Sequence, residues 1–361
     1  MAQKGHPFFL PLLLPIELDV RNLKVSFSTP QGNFSAVNGI SFQLHRGETL
    51  ALVGESGCGK TVSALSILQL LPKPAVNNIS GEIIYSGQNL LSLGAKQMRK
   101  IRGEEISMIF QDPMTSLNPV LTIGEQLIEI LLQHKSLNKK EALAKSVQLL
   151  GKVELYSPEQ KLKQYPHQLS GGMRQRVMIA MALACEPKIL IADEPTTALD
   201  VLIQAQILDL LENLKRESSM SMLLITHDLG IVVEIAERLM VMYAGDEVET
   251  GPTKSLLKNP NHPYTKGLVL SRPHLGIDRK KEQRLVEIKG SVPNPNKRPT
   301  GCSFHPRCKW VMDKCKTQKP LTKNINPNLK YNCHLDPGAI SVSYTHLRAH
   351  ETREERVWRV G

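Results

Sequence analysis

The sequence of 361 residues lacks an apolar run approaching the ~20 residues that a membrane-spanning helix requires. Its first residues are rich in leucine, but Pro11 and Pro15 interrupt them and no cleavage site of small residues follows. We therefore expect residues 1–15 to be an extension outside the fold, neither an anchor nor an export signal. Aromatic residues are also scarce, at 4% against 41% apolar residues in total. A mainly aliphatic core of this kind is typical of α/β proteins.

Positive charge is not spread over the chain, although the formal net charge is +11. Residues 252–336 carry 18 Lys and Arg against 5 Asp and Glu, whereas residues 1–251 carry 23 against 26. The charge gives no indication of a basic surface for nucleic acid over the main domain, so no nucleic-acid partner is expected. Because proline, lysine and asparagine dominate beyond Gly251, we predict a main domain at 16–255 and an extension at 256–336. Residues 337–361 show no core pattern and are expected to be a non-native or disordered tail.

The order of the predicted strands and helices indicates an α/β fold, a three-layer sandwich around a parallel sheet. Apolar strands are predicted at 48–53, 106–112, 188–194 and 221–228, and the unbroken runs in the last two suit strands covered on both faces. A stretch from Gly81 has the pattern of an antiparallel edge hairpin. Residues 122–186 are almost wholly helical in pattern, so we expect a helical subdomain, at about 115–186, inserted into the sandwich.

A glycine-rich loop joins the first of these strands to a helix-like run. The loop fits G-x-x-x-x-G-K-[ST] and consists of Gly54, Glu55, Ser56, Gly57, Cys58, Gly59, Lys60 and Thr61. Glycines there allow backbone N–H groups to wrap a β-phosphate, the lysine neutralises the β- and γ-oxygens, and the threonine hydroxyl binds Mg²⁺. The alternative is a glycine-rich turn that happens to carry a lysine. By itself the loop indicates only the broad class of nucleoside triphosphatases.

Polar side chains follow three other predicted strands, where ligands of α/β sheets bind. Asp193 is a candidate Mg²⁺ ligand, and Glu194 a candidate base that orients and deprotonates the attacking water. His227 ends the next strand and is a candidate catalytic residue able to reach a γ-phosphate. Gln111 is a further candidate for Mg²⁺ or the water, although a single glutamine is a weak signal. For the acidic pair, the alternative is a solvated strand end.

A second helix start also suits an anion. Ser170, Gly171 and Gly172 precede an apolar helical run, and N–H groups at such a start carry partial positive charge. The alternative is an ordinary helix capped by Ser170, which leaves the two glycines unexplained because glycine costs about 1 kcal/mol in a helix. Asp200 is equally compatible with a functional role and with a helix cap.

The segments GESGCGKT, FQDP, LSGGMRQR, ILIADEPTTALD and ITHD occur in an order and spacing that resemble the ATP-binding subunits of ABC transporters. The resemblance covers about residues 16–336, and LSGG separates this family from other P-loop ATPases. The phrases FQDPMTSLNPVLTIGEQ and NPNHPYTKGLV further resemble the oligopeptide and dipeptide importers. Met173 stands where many ABC proteins have glutamine, but the peptide importers commonly have this methionine.

The resemblance implies an ATPase that powers peptide import, with ATP and Mg²⁺. Two such domains would meet head to tail, so that Ser170, Gly171, Gly172 and Asp200 contact the partner's ATP, and Phe27 would stack on adenine unless it is a core residue. The expected partners are a second ATP-binding subunit, identical or paralogous, two transmembrane permease subunits and, indirectly, a substrate-binding receptor. The expected place is the cytoplasmic face of the inner membrane, peripherally bound. Nickel or glutathione import, and a soluble ABC ATPase acting on nucleic acid or ribosomes, are the alternatives.

Four of the six cysteines cluster in the basic extension, at Cys302, Cys308, Cys315 and Cys333. An ATPase with no convincing export signal is not expected to form disulfides, so four thiolates indicate a metal centre, with iron-sulfur and zinc both open. The resemblance to cluster-bearing importer subunits favours a 4Fe-4S cluster over zinc. Unliganded cysteines on a basic tail are the alternative.

Overall fold

The structure is a computed structural model that describes residues 14–30, 32–72, 75–197, 199–271 and 287–340. The predicted N-terminal extension and tail lie outside the described residues, apart from residues 14, 15 and 337–340.

The main domain combines strands and helices in the α/β class that the sequence predicts. The strands are β1 (Ile16–Thr29), β2 (Gly32–His45), β3 (Thr49–Val53), β4 (Val76–Tyr85), β5 (Gln88–Asn89), β6 (Ile106–Ile109), β7 (Ile189–Asp193), β8 (Ser221–Thr226), β9 (Arg238–Tyr243), β10 (Asp246–Pro252), β11 (Lys323–Asn326) and β12 (Leu329–Tyr331). The helices are α1 (Lys60–Ile67), α2 (Ala95–Ile101), α3 (Pro113–Ser116), α4 (Ile123–His134), α5 (Lys139–Lys152), α6 (Pro158–Lys161), α7 (Gly171–Leu183), α8 (Val201–Ser218), α9 (Leu229–Ile235), α10 (Thr253–Lys258), α11 (Pro263–Leu270) and α12 (Asp313–Thr317).

The larger sheet positions the candidate site. Among the described residues its strand order is β11-β12-β10-β9-β3-β8-β7-β6, and the five strands from β9 to β6 run parallel. Strands β3, β7 and β8 are buried at every residue, which explains their unbroken apolar sequences. Because their carboxyl ends meet at one edge, the loops after β3, β6, β7 and β8 all open on the same side of the molecule.

A smaller antiparallel sheet, with the order β2-β1-β4-β5, packs against the opposite side of the phosphate-loop helix. Side chains of both sheets and of α1 form one buried cluster, for example Leu23, Ile40, Ile67 and Ile225. The predicted hairpin from Gly81 is the β4-β5 pair. Helix α1 ends at Ile67, well before Pro72, because Gln69 adopts a left-handed φ of 49° that no helix continues.

The predicted helical block consists of α4 to α7, and local signals explain where two of its helices begin. Thr122 accepts a bond from the N–H of Glu125 at 3.2 Å, and the Glu125 carboxylate accepts from the N–H of Thr122 at 2.7 Å. Asn138 and Glu141 form the same reciprocal cap at the start of α5. The apolar faces of the block, including Leu127 and Val177, share a core with β7.

The C-terminal extension continues the main sheet. Strand β12 pairs antiparallel with β10, and β11 pairs with β12. Phe304 and Leu329 of the extension are buried in one cluster with Tyr243 and Tyr264. The division into 16–255 and 256–336 stays a prediction, since the change in composition coincides with a continuous core.

Candidate nucleotide-binding site

The phosphate loop lies between β3 and α1, in the context that the sequence predicts. Backbone packing explains two of its glycines: a Cβ on Gly54 would lie 2.2 Å from the carbonyl oxygen of Met242, and one on Gly59 would lie 2.5 Å from that of Ala36. Gly59 also has a φ of 99°, which favours glycine. Ser56 and Gly57 are exposed, whereas Cys58 is buried, so the open rim of the loop faces solvent.

Lys60 lies within the loop and is 5% exposed. Its Nζ donates to the carbonyl oxygens of Gly54, at 2.7 Å, and Glu55, at 3.2 Å. A buried ammonium group whose hydrogen bonds go to neutral carbonyl oxygens makes the loop suited to an anion.

Thr61 and Asp193 come together from two strands away. The Thr61 hydroxyl donates to the Asp193 carboxylate at 3.2 Å, and burial raises the pKa of Asp193 to about 6. A buried carboxylate beside a hydroxyl and a phosphate loop is a donor set that fits Mg²⁺, whose preferred ligands are oxygens.

Glu194 is the centre of a small hydrogen-bond network at the same edge. Its carboxylate accepts from Gln111 Nε2 at 3.1 Å and from the Thr197 hydroxyl at 2.9 Å, and His227 Nδ1 lies 3.3 Å away. Glu194 has a φ of 47°, a conformation that costs a residue with a side chain about 1 kcal/mol or more and concentrates at functional sites. The structure therefore brings together Gln111, Glu194 and His227 as the strand order predicts.

Thr197 was not identified from the sequence. A threonine three residues after Glu194 carries no distinctive signal, and only the turn after β7 directs its hydroxyl to the carboxylate. The contacts of Glu55 with the C-terminal extension were also missed, because more than 200 residues of sequence separate the partners.

The signature segment lies at the start of α7. Ser170 caps the helix, accepting from the N–H of Met173 at 3.3 Å, and both Ser170 and Gly171 are exposed. A Cβ on Gly172 would lie 2.9 Å from Ile203 Cγ2, whereas one on Gly171 would meet only Leu199 at an ordinary 3.7 Å. Packing against α8 therefore explains one of the two glycines, whereas no close contact within the described part of the chain requires glycine at position 171.

Asp200 is exposed and caps α8, accepting from the N–H of Ile203 at 3.0 Å. The cap is the simpler of the two interpretations that the sequence allowed. Phe27 lies on β1, half-buried, with its ring 5.6 Å from that of Phe34 and at the edge of the core. Its role toward adenine stays a prediction.

The four clustered cysteines line one narrow cavity together with three histidines. Cys315 and Cys333 are buried, and burial raises the pKa of Cys302 to about 12 and that of Cys308 to about 11. In the part of the chain that the structure describes, no three His, Cys, Asp or Glu side chains come close enough together to hold a metal ion. The thiols are thus gathered, and their chemistry suits a soft metal, but they do not converge on a common centre.

Comparison with known proteins completes the description. A model of the ABC transporter family matches residues 37–197, and a model of the oligopeptide/dipeptide transporter C-terminal region matches residues 248–315. The chain is 51% identical to the dipeptide transport ATP-binding protein DppD of Bacillus subtilis, over 88% of this chain and 94% of that protein. The chain belongs to the ATP-binding subunits of ABC transporters.

Other relatives agree with this family. The chain is 49% identical to the oligopeptide transport ATP-binding protein OppD of Haemophilus influenzae, over 88% of this chain and 97% of that protein. A solved dimeric ATP-binding cassette in a post-hydrolysis state, bound to ADP and Pi, superposes with a TM-score of 0.59 at 27% identity, covering 65% of this chain and 98% of the cassette. This ABC subunit is therefore an ATPase with the three-layer fold that the sequence predicts. No helix among its described residues is both long and apolar enough to cross a membrane.

Proposed function

We propose that this ABC subunit hydrolyses ATP to power the import of dipeptides or oligopeptides. The observation that carries the proposal is the combination of a complete nucleotide edge with a C-terminal region of the oligopeptide/dipeptide type. Relatives at about 50% identity carry the names of peptide transport proteins, which supports peptides over nickel complexes or glutathione. The same relatives argue against a soluble ATPase that acts on nucleic acid or ribosomes.

The chemistry follows from the groups at the sheet edge. The loop N–H groups and Lys60 bind the β- and γ-phosphates, and Mg²⁺, which Thr61, Asp193 and Gln111 would hold, supplies neutralisation of their charge. Glu194 orients the attacking water and takes its proton, while His227 reaches toward the γ-phosphate. Gln111 and Thr197 hold the Glu194 carboxylate in place through the bonds at 3.1 and 2.9 Å. Phe27 is assigned to stacking on adenine.

The signature segment acts on a second subunit in this proposal. Ser170, Gly171 and Gly172 would cap the γ-phosphate in the partner's loop, and Asp200 would contact the partner's ATP, so that ATP holds two subunits together and hydrolysis releases them. Two observations support this role: Ser170 and Gly171 are exposed, and no close contact among the described residues requires glycine at position 171. The second subunit is identical or paralogous. When the pair opens, the helical block would transmit the movement to two permease subunits.

The proposed place is the cytoplasmic face of the inner membrane, where the chain binds peripherally to its permeases and, through them, serves a substrate-binding receptor. Tagged chain purified from mild detergent extracts tests the assignment. We expect integral membrane proteins to co-purify and to stimulate ATP hydrolysis when peptide and receptor are added. Co-purification of RNA or ribosomal proteins in their place would contradict the proposal.

The cysteine cavity is a separate proposal. Cys302, Cys308, Cys315 and Cys333 would ligate a 4Fe-4S cluster, and their position around one cavity supports it. Binding of the cluster would have to draw the four thiols onto a common centre. A cluster held by four thiolates would carry a net negative charge, which the surrounding lysines and arginines would offset. Anaerobic purification followed by visible absorbance and metal analysis tests it. Bound zinc without iron, or no bound metal, would contradict it.

A further inference from the structure

Arg307 of the C-terminal extension reaches the phosphate loop. Arg307 Nη1 donates to both carboxylate oxygens of Glu55, each at 3.0 Å. The Arg307 side chain is 6% exposed and that of Glu55 is 30% exposed. The other two nitrogens of the guanidinium also donate to backbone carbonyls: Nη2 to that of Ile288, at 3.0 Å, and Nε to that of Lys289, at 3.1 Å. The guanidinium is therefore fixed on both sides, by the loop residue and by the backbone of the extension.

The backbone of the same loop residue is held from a second direction. The N–H of Glu55 donates to the hydroxyl of Tyr264 at 2.9 Å. Tyr264 is fully buried, and its ring lies 4.7 Å from that of Tyr243 and 5.4 Å from that of Phe304. This aromatic cluster also carries the Arg307 guanidinium, 5.7 Å from the Tyr243 ring centroid.

These contacts bear on the groups that face the nucleotide. With its N–H and carboxylate held from behind, Glu55 keeps its carbonyl oxygen in position to accept from Lys60 Nζ, at 3.2 Å. The carboxylate of Glu55 is also a negative charge in the loop that is to receive a triphosphate. Because a guanidinium remains protonated at every accessible pH, Arg307 compensates that charge permanently.

We propose that Arg307 and Tyr264 are positioning residues for ATP binding, acting through Glu55. The proposal rests on the assignment of the phosphate loop to ATP made above. It makes the C-terminal extension part of the nucleotide site: the extension aligns the loop backbone and removes the electrostatic cost of its carboxylate. Removal of the guanidinium leaves a carboxylate beside the polyphosphate, and like charges at short range in a partly buried site weaken anion binding.

The test is steady-state ATP hydrolysis by the full chain, with KM and kcat measured separately. We expect Arg307→Met to raise the KM for ATP about tenfold while kcat changes by about twofold or less, since the lost interaction is uniform in ground and transition states. Arg307→Lys, which keeps the charge but loses the fork, should raise KM by a smaller factor. Tyr264→Phe should raise it about threefold, because the N–H of Glu55 loses its acceptor.

A second substitution separates charge compensation from a purely structural role. Glu55→Gln in the Arg307→Met background removes the uncompensated carboxylate, and we expect most of the rise in KM to disappear. Lys330→Met is the matched control: Lys330 lies in the same extension and pairs with Glu247 at 2.8 Å, away from the loop. It should lower the melting temperature without changing KM.

Three results would overturn the inference. The first is an unchanged KM in Arg307→Met, and the second is a rise in KM that Glu55→Gln fails to reverse. The third is an equal rise in Lys330→Met, which would mean that any loosening of the extension has the same effect. Failure of the proposed function itself looks different, since the unsubstituted chain would then bind no ATP.

Discussion

The two glycine-containing helix starts of this chain differ in how far the chain itself satisfies them. In the phosphate loop before α1, Lys60 is buried and bonded to the loop carbonyls, and Thr61 is bonded to Asp193. In the signature segment before α7, Ser170 and Gly171 are exposed, and the serine hydroxyl accepts a bond from its own helix start. The phosphate loop is therefore an internal anion-binding site, whose partner groups belong to the same chain. The signature segment is an external anion-binding site, which faces outward.

The difference shows how a single subunit can depend on a second one. The phosphate loop requires a lysine, a hydroxyl and a carboxylate, and the fold of one chain supplies all three at one sheet edge. The signature segment has helix N–H groups but no lysine or carboxylate pair of its own, so it completes a site only when another chain brings the phosphate. Four experiments test the two halves of this comparison.

The largest effect is expected from a substitution in the internal anion-binding site, the phosphate loop. Lys60→Ala removes the buried ammonium, and we expect ATP hydrolysis to fall by about 1000-fold, because the positive charge that neutralises the phosphate oxygens during phosphoryl transfer is lost. Phosphate release measures this fall, and Lys258→Ala, at an exposed position of α10, serves as the control. Retention of more than a tenth of the activity would contradict the role given to Lys60.

Glu194→Gln should stop hydrolysis while leaving both anion-binding sites unchanged, so that it tests dimerisation apart from catalysis. We expect kcat to fall by about 100-fold or more, since an amide cannot take the proton of the attacking water. ATP binding should persist, and the ATP-bound form should accumulate as a dimer in light scattering. A variant that binds ATP yet stays monomeric would contradict the shared-nucleotide mechanism.

The sequence predicted the site where regular geometry decides it and missed it where tertiary contacts decide it. Parallel strands place their carboxyl ends together, so Gln111, Glu194 and His227 could be grouped from strand order alone. The hydroxyl of Thr197 reaches Glu194 only through the turn after β7, and Arg307 reaches Glu55 across the whole length of the chain. Neither contact has a local pattern. The gathering of the four cysteines was likewise predictable from their clustering, but their spacing does not determine whether they converge.

Packing also gave a reason that sequence reasoning did not contain. Both signature glycines were assigned to phosphate, because helix propensity disfavours them equally. The structure distinguishes them, since only Gly172 faces a side chain of α8 at close range. A contact between two helices cannot be read from the sequence of either one.

Ser170→Arg should block the external anion-binding site, the signature segment, and leave the phosphate loop unaffected. In a Glu194→Gln background, we expect ATP-driven dimerisation to weaken by about tenfold or more, because a bulky side chain occupies the position of the partner's γ-phosphate. Binding of ATP to the monomer should be unchanged. Light scattering and equilibrium nucleotide binding measure the two halves separately, with Ser218→Arg, at the end of α8, as the control. Unchanged dimerisation would mean that the signature segment is an ordinary capped helix start.

The smallest effect separates packing from phosphate recognition within the signature itself. Gly171→Ala and Gly172→Ala gain the same helix propensity, but only the second places a methyl group 2.9 Å from Ile203 Cγ2. We therefore expect Gly172→Ala to be less stable than Gly171→Ala by about 1 kcal/mol, as overpacking costs of that order are typical. Denaturant unfolding of the nucleotide-free chain measures this difference without any contribution from dimerisation. Equal stabilities would show that Ile203 yields to the methyl group, and the glycine pair would then have to be explained by the partner's phosphate alone.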